Sequence, residues 1–195
     1  MTARTPTLLV LALTCVLPCV AVAFDSFDPD TPDGSIPDLA NGLLTAQPQL
    51  QAHHIPTGSV ILDGRLDEAV WSQAQLAGGF RQNSPDRLGD ASVSTTFRVI
   101  YDDDAIYFGV ACFEDDPSLT NSSLSRRDNI RNSDIVSIYI DPYLDRTTGY
   151  NFRTNLHGVV ADAYMFDDGN RDWNWDAVWQ VETSTDSHGW SAEFR

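Results

Sequence analysis

Between Ala91 and Arg195 the chain repeatedly alternates apolar and polar residues with a period of two, the spacing of a strand with one covered face. In "ASVSTTFRVIY", Val93, Thr95, Phe97, Val99 and Tyr101 share one face, and Ser94, Thr96, Arg98 and Ile100 share the other. "DDDA" supplies a turn, and "IYFGVACF" returns apolar on both faces, which predicts a central strand. Further strands are predicted at "DIVSIYID", "GYNFRTN", "VVADAYMF", "AVWQVETS" and "GWSAEFR", separated by the turn chemistry of "DRTTG", "LHG" and "DSHG". Upstream, "SVILDGRLDEAVWSQA" gives a short strand, a turn at Asp63-Gly64, and one or two helical turns from Asp67 to about Ala74. Short strands with hairpin-length connections and no alternation of strand with helix predict an all-β fold. It is an antiparallel, jelly-roll-like β-sandwich with one short helical turn near its N-terminus.

Residues 1–23 break this pattern. Arg4 precedes the apolar run "LLVLALTCVL", and Ala21 and Ala23 fit a small-residue cleavage site, so the segment reads as a signal peptide removed from the mature chain. The run is short for a bilayer span. Residues 24–55, rich in Pro, Asp, Gln and Ala, show no sustained period and read as a flexible leader. His53 and His54 close it without a third ligand at a recognisable spacing. The sandwich is expected over residues 56–195. Trp190, Ala192 and Phe194 still alternate where the sequence stops, so the expectation is a domain cut short within a longer polypeptide.

Composition narrows the partners. All 12 basic residues are arginine, 24 of the 28 acidic residues are aspartate, and the formal charge is −16. That field repels nucleic acid and anionic lipid and leaves neutral ligands and cations. Loss of Cys15 and Cys19 with the signal peptide would leave Cys112 alone, so the core must hold the fold without a disulfide.

The five tryptophans divide by context. Trp71 belongs with Leu66, Val70 and Ala74 on the helical turn, and Trp179 and Trp190 alternate with apolar strand residues; all three read as core. Trp173 and Trp175 sit in "DDGNRDWNWD" beside Asp172, Asn174 and Asp176, with few apolar neighbours, and are candidates for a ligand platform. A pyranose has a patch of polarised C–H groups and a rim of hydroxyls, so it needs an aromatic face together with Asp, Asn or Arg. Arg98, and Asn151, Arg153 and Asn155 on one face of "YNFRTN", are candidate rim residues, with a solvated strand face as the alternative. Asp162, between alanines, reads as a buried structural carboxylate. Asp167, Asp168, Asn170 and Asp172 are the best-placed oxygen ligands for a structural Ca²⁺, although without EF-hand spacing. No nucleophile with a base, zinc-protease motif or phosphate loop is visible.

The motif order "ILDGRLDEAVWSQA", "FRVIYDDDAIYFGVACFEDDP", "RRDNIRNSDIVSIYIDPYLDRTTGYNFRTNLHGVVAD", "WNWDAVWQ" and "HGWSAEFR" resembles the family 9 carbohydrate-binding module-like domain. It is similar in particular to the version at the N-terminus of large secreted bacterial proteins whose remainder resembles an outer-membrane β-barrel. The resemblance implies a sugar-binding sandwich, often attached to a glycoside hydrolase, with calcium in some members. The expected function is therefore binding of an oligo- or polysaccharide by a secreted, periplasmic or cell-surface module in carbohydrate catabolism. The alternative is a non-enzymatic interaction domain of an outer-membrane β-barrel protein that takes no sugar.

Overall fold

A computed structural model describes residues 8–16, 19–23, 49–83, 86, 88–130, 132–167 and 169–195. Two sheets pack face to face. One contains β1 (Leu8–Val16), β2 (Cys19–Ala23), β3 (Gln49–Leu50), β8 (Ile135–Asp141), β9 (Gly149–Asn155), β10 (Val160–Phe166) and β11 (Asn170–Asp172), in the order β11-β10-β9-β8-β1-β2-β3. The other contains β4 (His53–His54), β5 (Ala77–Gly78), β6 (Thr95–Tyr101), β7 (Ile106–Phe113), β12 (Val181–Asp186) and β13 (Gly189–Phe194), in the order β12-β13-β7-β6-β4 with β5 paired to β6. Named strands pair antiparallel except β1 with β8 and β4 with β6.

The alternation in the sequence decides which side chains meet. Phe97 and Val99 of β6 lie opposite Val110 and Phe108 of β7. With Trp190, Ala192 and Phe194 of β13 they form one buried layer, facing Val136 and Ile138 of β8. Full burial of each large apolar side chain contributes roughly 1.5–3 kcal/mol. As expected, β7 is central, flanked by β6 and β13.

The six-stranded sheet also carries a layer on its outer face. Ile100 and Tyr107 pack there with Ile55, Trp71 and Ala74, the last two brought in by the helix α1 (Ala69–Gln73) and its C-cap. Gly109 lies beneath the indole: a Cβ there would come within 2.9 Å of Trp71 and 2.6 Å of Leu66. Opposite Gly109 stands Glu193, fully buried. Its carboxylate accepts the backbone N–H groups of Asp63 and Gly64, each at 2.9 Å, and Nε1–H of Trp71 at 3.0 Å. Burial pushes its pKa up to about 7 despite these donors, with Glu68 adding to the rise. Gly64 makes the expected turn with φ of +82°, a conformation natural to glycine.

Parts of the N-terminal segments pair with the sandwich strands. The residues read as a signal peptide contribute β1 and β2, with β1 running parallel to β8 from Leu8↔Ile135 to Thr14↔Asp141. An extended apolar run can satisfy the open backbone edge of β8, which accounts for the pairing. Residues 49–55, assigned above to the leader, belong to the sandwich. Leu50, Ala52 and Ile55 are buried there, and Ile55 donates its N–H to the carbonyl of Tyr101 at 2.8 Å. The rest of the expected leader, residues 24–48, lies outside the described residues.

Candidate functional site

Register gives the β8-β9-β10 sheet two chemically different faces. Ile138, Phe152 and Asp162 stand in one row and Ile140, Tyr150 and Tyr164 in the next, on the face turned to the core. Ser137, Arg153 and Ala161, then Tyr139, Asn151 and Ala163, occupy the opposite face.

A continuous series of rings crosses the core-side face. Phe166 stacks with Tyr164 at 5.9 Å, Tyr164 meets Tyr150 at 5.6 Å, and Tyr150 meets Trp175 at 4.9 Å. Trp175 then contacts Phe152 edge-on at 6.3 Å, Phe152 contacts Trp179 at 5.3 Å, and Trp179 stacks on Phe194 of the other sheet at 5.8 Å. Such pairs add about 0.5–1.5 kcal/mol each beyond the burial itself. Trp179 is structural, as expected, although it precedes β12 instead of lying within a strand. Trp175 is also structural: it is half-buried as a wedge between Tyr150 and Phe152 and does not form an open platform with Trp173.

The loop that carries these indoles is tied at its base. The carboxylate of Asp162, fully buried as the sequence implied, takes NH2 of Arg127 on Oδ1 at 2.5 Å and the N–H of Ala177 on Oδ2 at 2.6 Å. Nε of Arg127 also donates to Asp176 at 3.0 Å. At the other end Oδ1 of Asp172 accepts the N–H and side-chain amide of Asn174, closing a tight turn.

That turn delivers Trp173 to the opposite face. Its ring is 41 % exposed and rests on the guanidinium of Arg153, whose Cζ lies 4.7 Å from the ring centroid; Cζ of Arg171 lies 5.9 Å away. Arg153 is only 5 % exposed. It is aimed by Asn151, whose Oδ1 accepts Nε–H at 2.5 Å, and by the hydroxyl of Tyr139, which accepts from NH2 at 3.3 Å. Asn151 is fixed in turn by its amide, donating to the carbonyl of Ile138 at 3.1 Å. Burial lowers the pKa of Arg171, with a smaller contribution from Arg153. Arg171 also lines an open groove with Tyr164, Phe166 and Asp172, so the Trp173 ring and the groove share one side chain.

The sequence candidates are therefore only partly brought together. Trp173 and Arg153 meet, with Asn151 as the residue that positions Arg153. Asn155 is buried in the β9-β10 turn, accepting from His157 and Val159 and donating to Ser123 and Ser133. Arg98 belongs to the other sheet, opposite Gly109, with Nε buried and unpartnered among the described residues. Arg171, Tyr139, Tyr164 and Phe166 were missed. The period of two in "VVADAYMF" places Tyr164 and Phe166 on one face, but nothing local marks that face as reaching solvent at the sheet edge.

Of the calcium candidates, Asp167 is exposed with φ of 48°, Asn170 and Asp172 are the two ends of β11, and Asp168 lies outside the described residues. Oδ1 of Asp172 is engaged by Asn174, and among the described residues no three His, Cys, Asp or Glu side chains converge. The three described members do not by themselves form the cage of six to eight oxygens that Ca²⁺ takes.

Residues 61–195 match the profile of the carbohydrate family 9 binding domain-like family. The chain belongs to that family. Two solved structures of a family 9 carbohydrate-binding module from Caldicellulosiruptor kristjanssonii are similar to this family 9-like chain. The one in complex with cellotriose has 17 % identity and a TM-score of 0.46, covering 74 % of this chain and 66 % of that one. The one in complex with glucose has 18 % identity and a TM-score of 0.48, covering 74 % and 67 %. The family 9-like chain thus spans about two thirds of the length of those modules. No curated protein matches it.

Proposed function

We propose that this domain binds a saccharide on the exposed ring of Trp173 and along the adjoining groove of Tyr164, Phe166, Asp172 and Arg171. The observation that carries the reading is the Trp173 ring, open to solvent and held from beneath by the buried Arg153 guanidinium. An indole supported on one side offers a flat apolar face to sugar C–H groups, while the exposed carboxylate of Asp172 in the groove suits hydroxyls at the rim. One or two ring contacts of about 0.5–1.5 kcal/mol, with hydrogen bonds that largely replace those to water, give an affinity of roughly millimolar to micromolar. Isothermal titration against a glycan panel tests this. The wild-type domain should respond to at least one saccharide, and Trp173→Ala should lose that response while staying folded. Silence across the panel would favour an interaction domain without a sugar ligand.

We also propose that the chain is exported through its N-terminal apolar segment and serves a larger polypeptide that degrades or imports glycans. That polypeptide would carry an attached glycoside hydrolase or an outer-membrane β-barrel. The support is the signal-like pattern of residues 1–23 and the resemblance to modules at the N-terminus of such proteins.

A further inference from the structure

Resting on the saccharide reading above, we propose that the binding surface continues past the groove to Tyr143 and takes a linear glycan lengthwise, several consecutive sugars lying across Phe166, Tyr164, Tyr150 and Tyr143. Tyr143 stands in the loop between β8 and β9 and is 71 % exposed, against 41 % for Trp173. It buries too little to be held there by packing, yet the loop beneath it is tightly fixed. Asp141 accepts the N–H groups of Tyr143 and Arg146, at 3.1 and 3.0 Å, and Asp145 those of Thr147 and Thr148, at 2.8 and 2.7 Å. Leu144 and Arg146 are held at φ of 56° and 60°, a region costly to residues that carry a Cβ. The loop therefore presents an amphipathic ring to solvent at a set position.

Tyr143 also joins the rings of the groove. Burial raises the pKa of Tyr150, and the neighbouring phenols of Tyr143 and Tyr164 add to the rise. Tyr150 lies 5.6 Å from Tyr164, and Tyr164 lies 5.9 Å from Phe166. The row thus runs from the end of β10, over β9, to the loop that leaves β8, and each of its rings keeps part of its surface in solvent. Polar side chains accompany it in register: Asn170 stands opposite Phe166 and Asp172 opposite Tyr164, both exposed. Two strand spacings of about 4.8 Å separate β10 from β8, and the two residues from Tyr164 to Phe166 add about 6.6 Å along β10. A pyranose has roughly the footprint of a phenyl ring, so a single sugar would leave most of this row uncovered. A linear chain instead meets an aromatic face and a hydrogen-bonding group, amide, carboxylate or phenol, at successive units.

The experiment is calorimetric titration of the full chain with cello-, xylo-, manno- and laminari-oligosaccharides, each series running from one sugar to six. In a series that binds, affinity should rise at least about tenfold from the monosaccharide to the tetrasaccharide, because each further stacked ring contributes a few-fold. Tyr143→Ala should weaken binding of the hexasaccharide about three- to tenfold, the loss of one such ring, and leave the monosaccharide and disaccharide unchanged. Affinity that stays constant with length overturns the proposal, as does a hexasaccharide held equally by the wild type and Tyr143→Ala; either result leaves the saccharide reading standing. No response to any series, nor to a wider glycan panel, removes the saccharide reading itself and the proposal with it. The length comparison uses the wild-type chain, so it decides the matter even if Tyr143→Ala fails to fold.

Discussion

Trp173 and Trp175 are two positions apart and look equivalent in sequence, yet the edge of the sheet separates them. Trp175→Ala should destabilise the domain by about 3–4 kcal/mol, the lower part of the range for truncating a packed aromatic because the ring is half-buried. Trp173→Ala should change stability by less than about 1 kcal/mol, as expected of a surface position. Urea denaturation of the two variants separates these outcomes. Glu193 makes a second prediction at this scale. Its folded pKa of about 7 exceeds the ordinary 4.5, so between those pH values the native state holds a proton that the unfolded chain has released. Stability should therefore fall as pH rises from about 4.5 to about 7, and Glu193→Gln should flatten the urea midpoint over that window. Asp102 and Asp145 act in the opposite sense at lower pH. The N–H of Asp104 and the hydroxyl of Thr148, respectively, lead the hydrogen bonds that hold their carboxyls below the usual range. Their contribution is lost as pH falls through the lowered values.

Elements were legible where a period could express itself. β6 and the first half of β9 follow the alternation read from the sequence, and β7 is buried over four consecutive residues as its unbroken apolar run implied, because five or more residues in sequence declare a buried face. β3 and β4 are two residues each, too short for any period, so the burial of Leu50 and Ile55 was hidden in a polar context. The strand expected from Ala177 starts at Val181 instead, since Asp162 draws the N–H of Ala177 toward the other sheet. Asp162 itself was readable from its apolar flanks. Its partner Arg127 was not, because it comes from a loop without periodicity. The site shared this limit: Arg153 and Trp173 were visible as residue types, but their meeting depends on that distant anchor. Asp162→Asn should cost about 1–3 kcal/mol by weakening a buried, charge-assisted pair, and should lower saccharide affinity with it. Chemical denaturation and titration of one preparation would test both.

At the scale of the whole molecule, two features stand apart from the local chemistry. The charge of −16, carried on an all-arginine and aspartate-rich chain, sets the long-range field, whereas the sheet edge gathers arginines around a single ring. The apolar N-terminal segment is the other. Expressed with its full N-terminus in a cell that secretes it, the protein should be recovered beginning at Phe24, and N-terminal sequencing checks this; a recovered chain that still starts at Met1 would reject export with cleavage. The β8 edge would then be free of β1. The file of aromatic rings from Phe166 to Phe194 also has a thermodynamic consequence. Because the groove is the outer end of an assembly that is already rigid, an arriving sugar meets side chains whose rotamers were fixed when the domain folded. The ordering penalty that weakens recognition by mobile loops is therefore small, and association should draw on contact enthalpy, with little structural rearrangement on the protein's side.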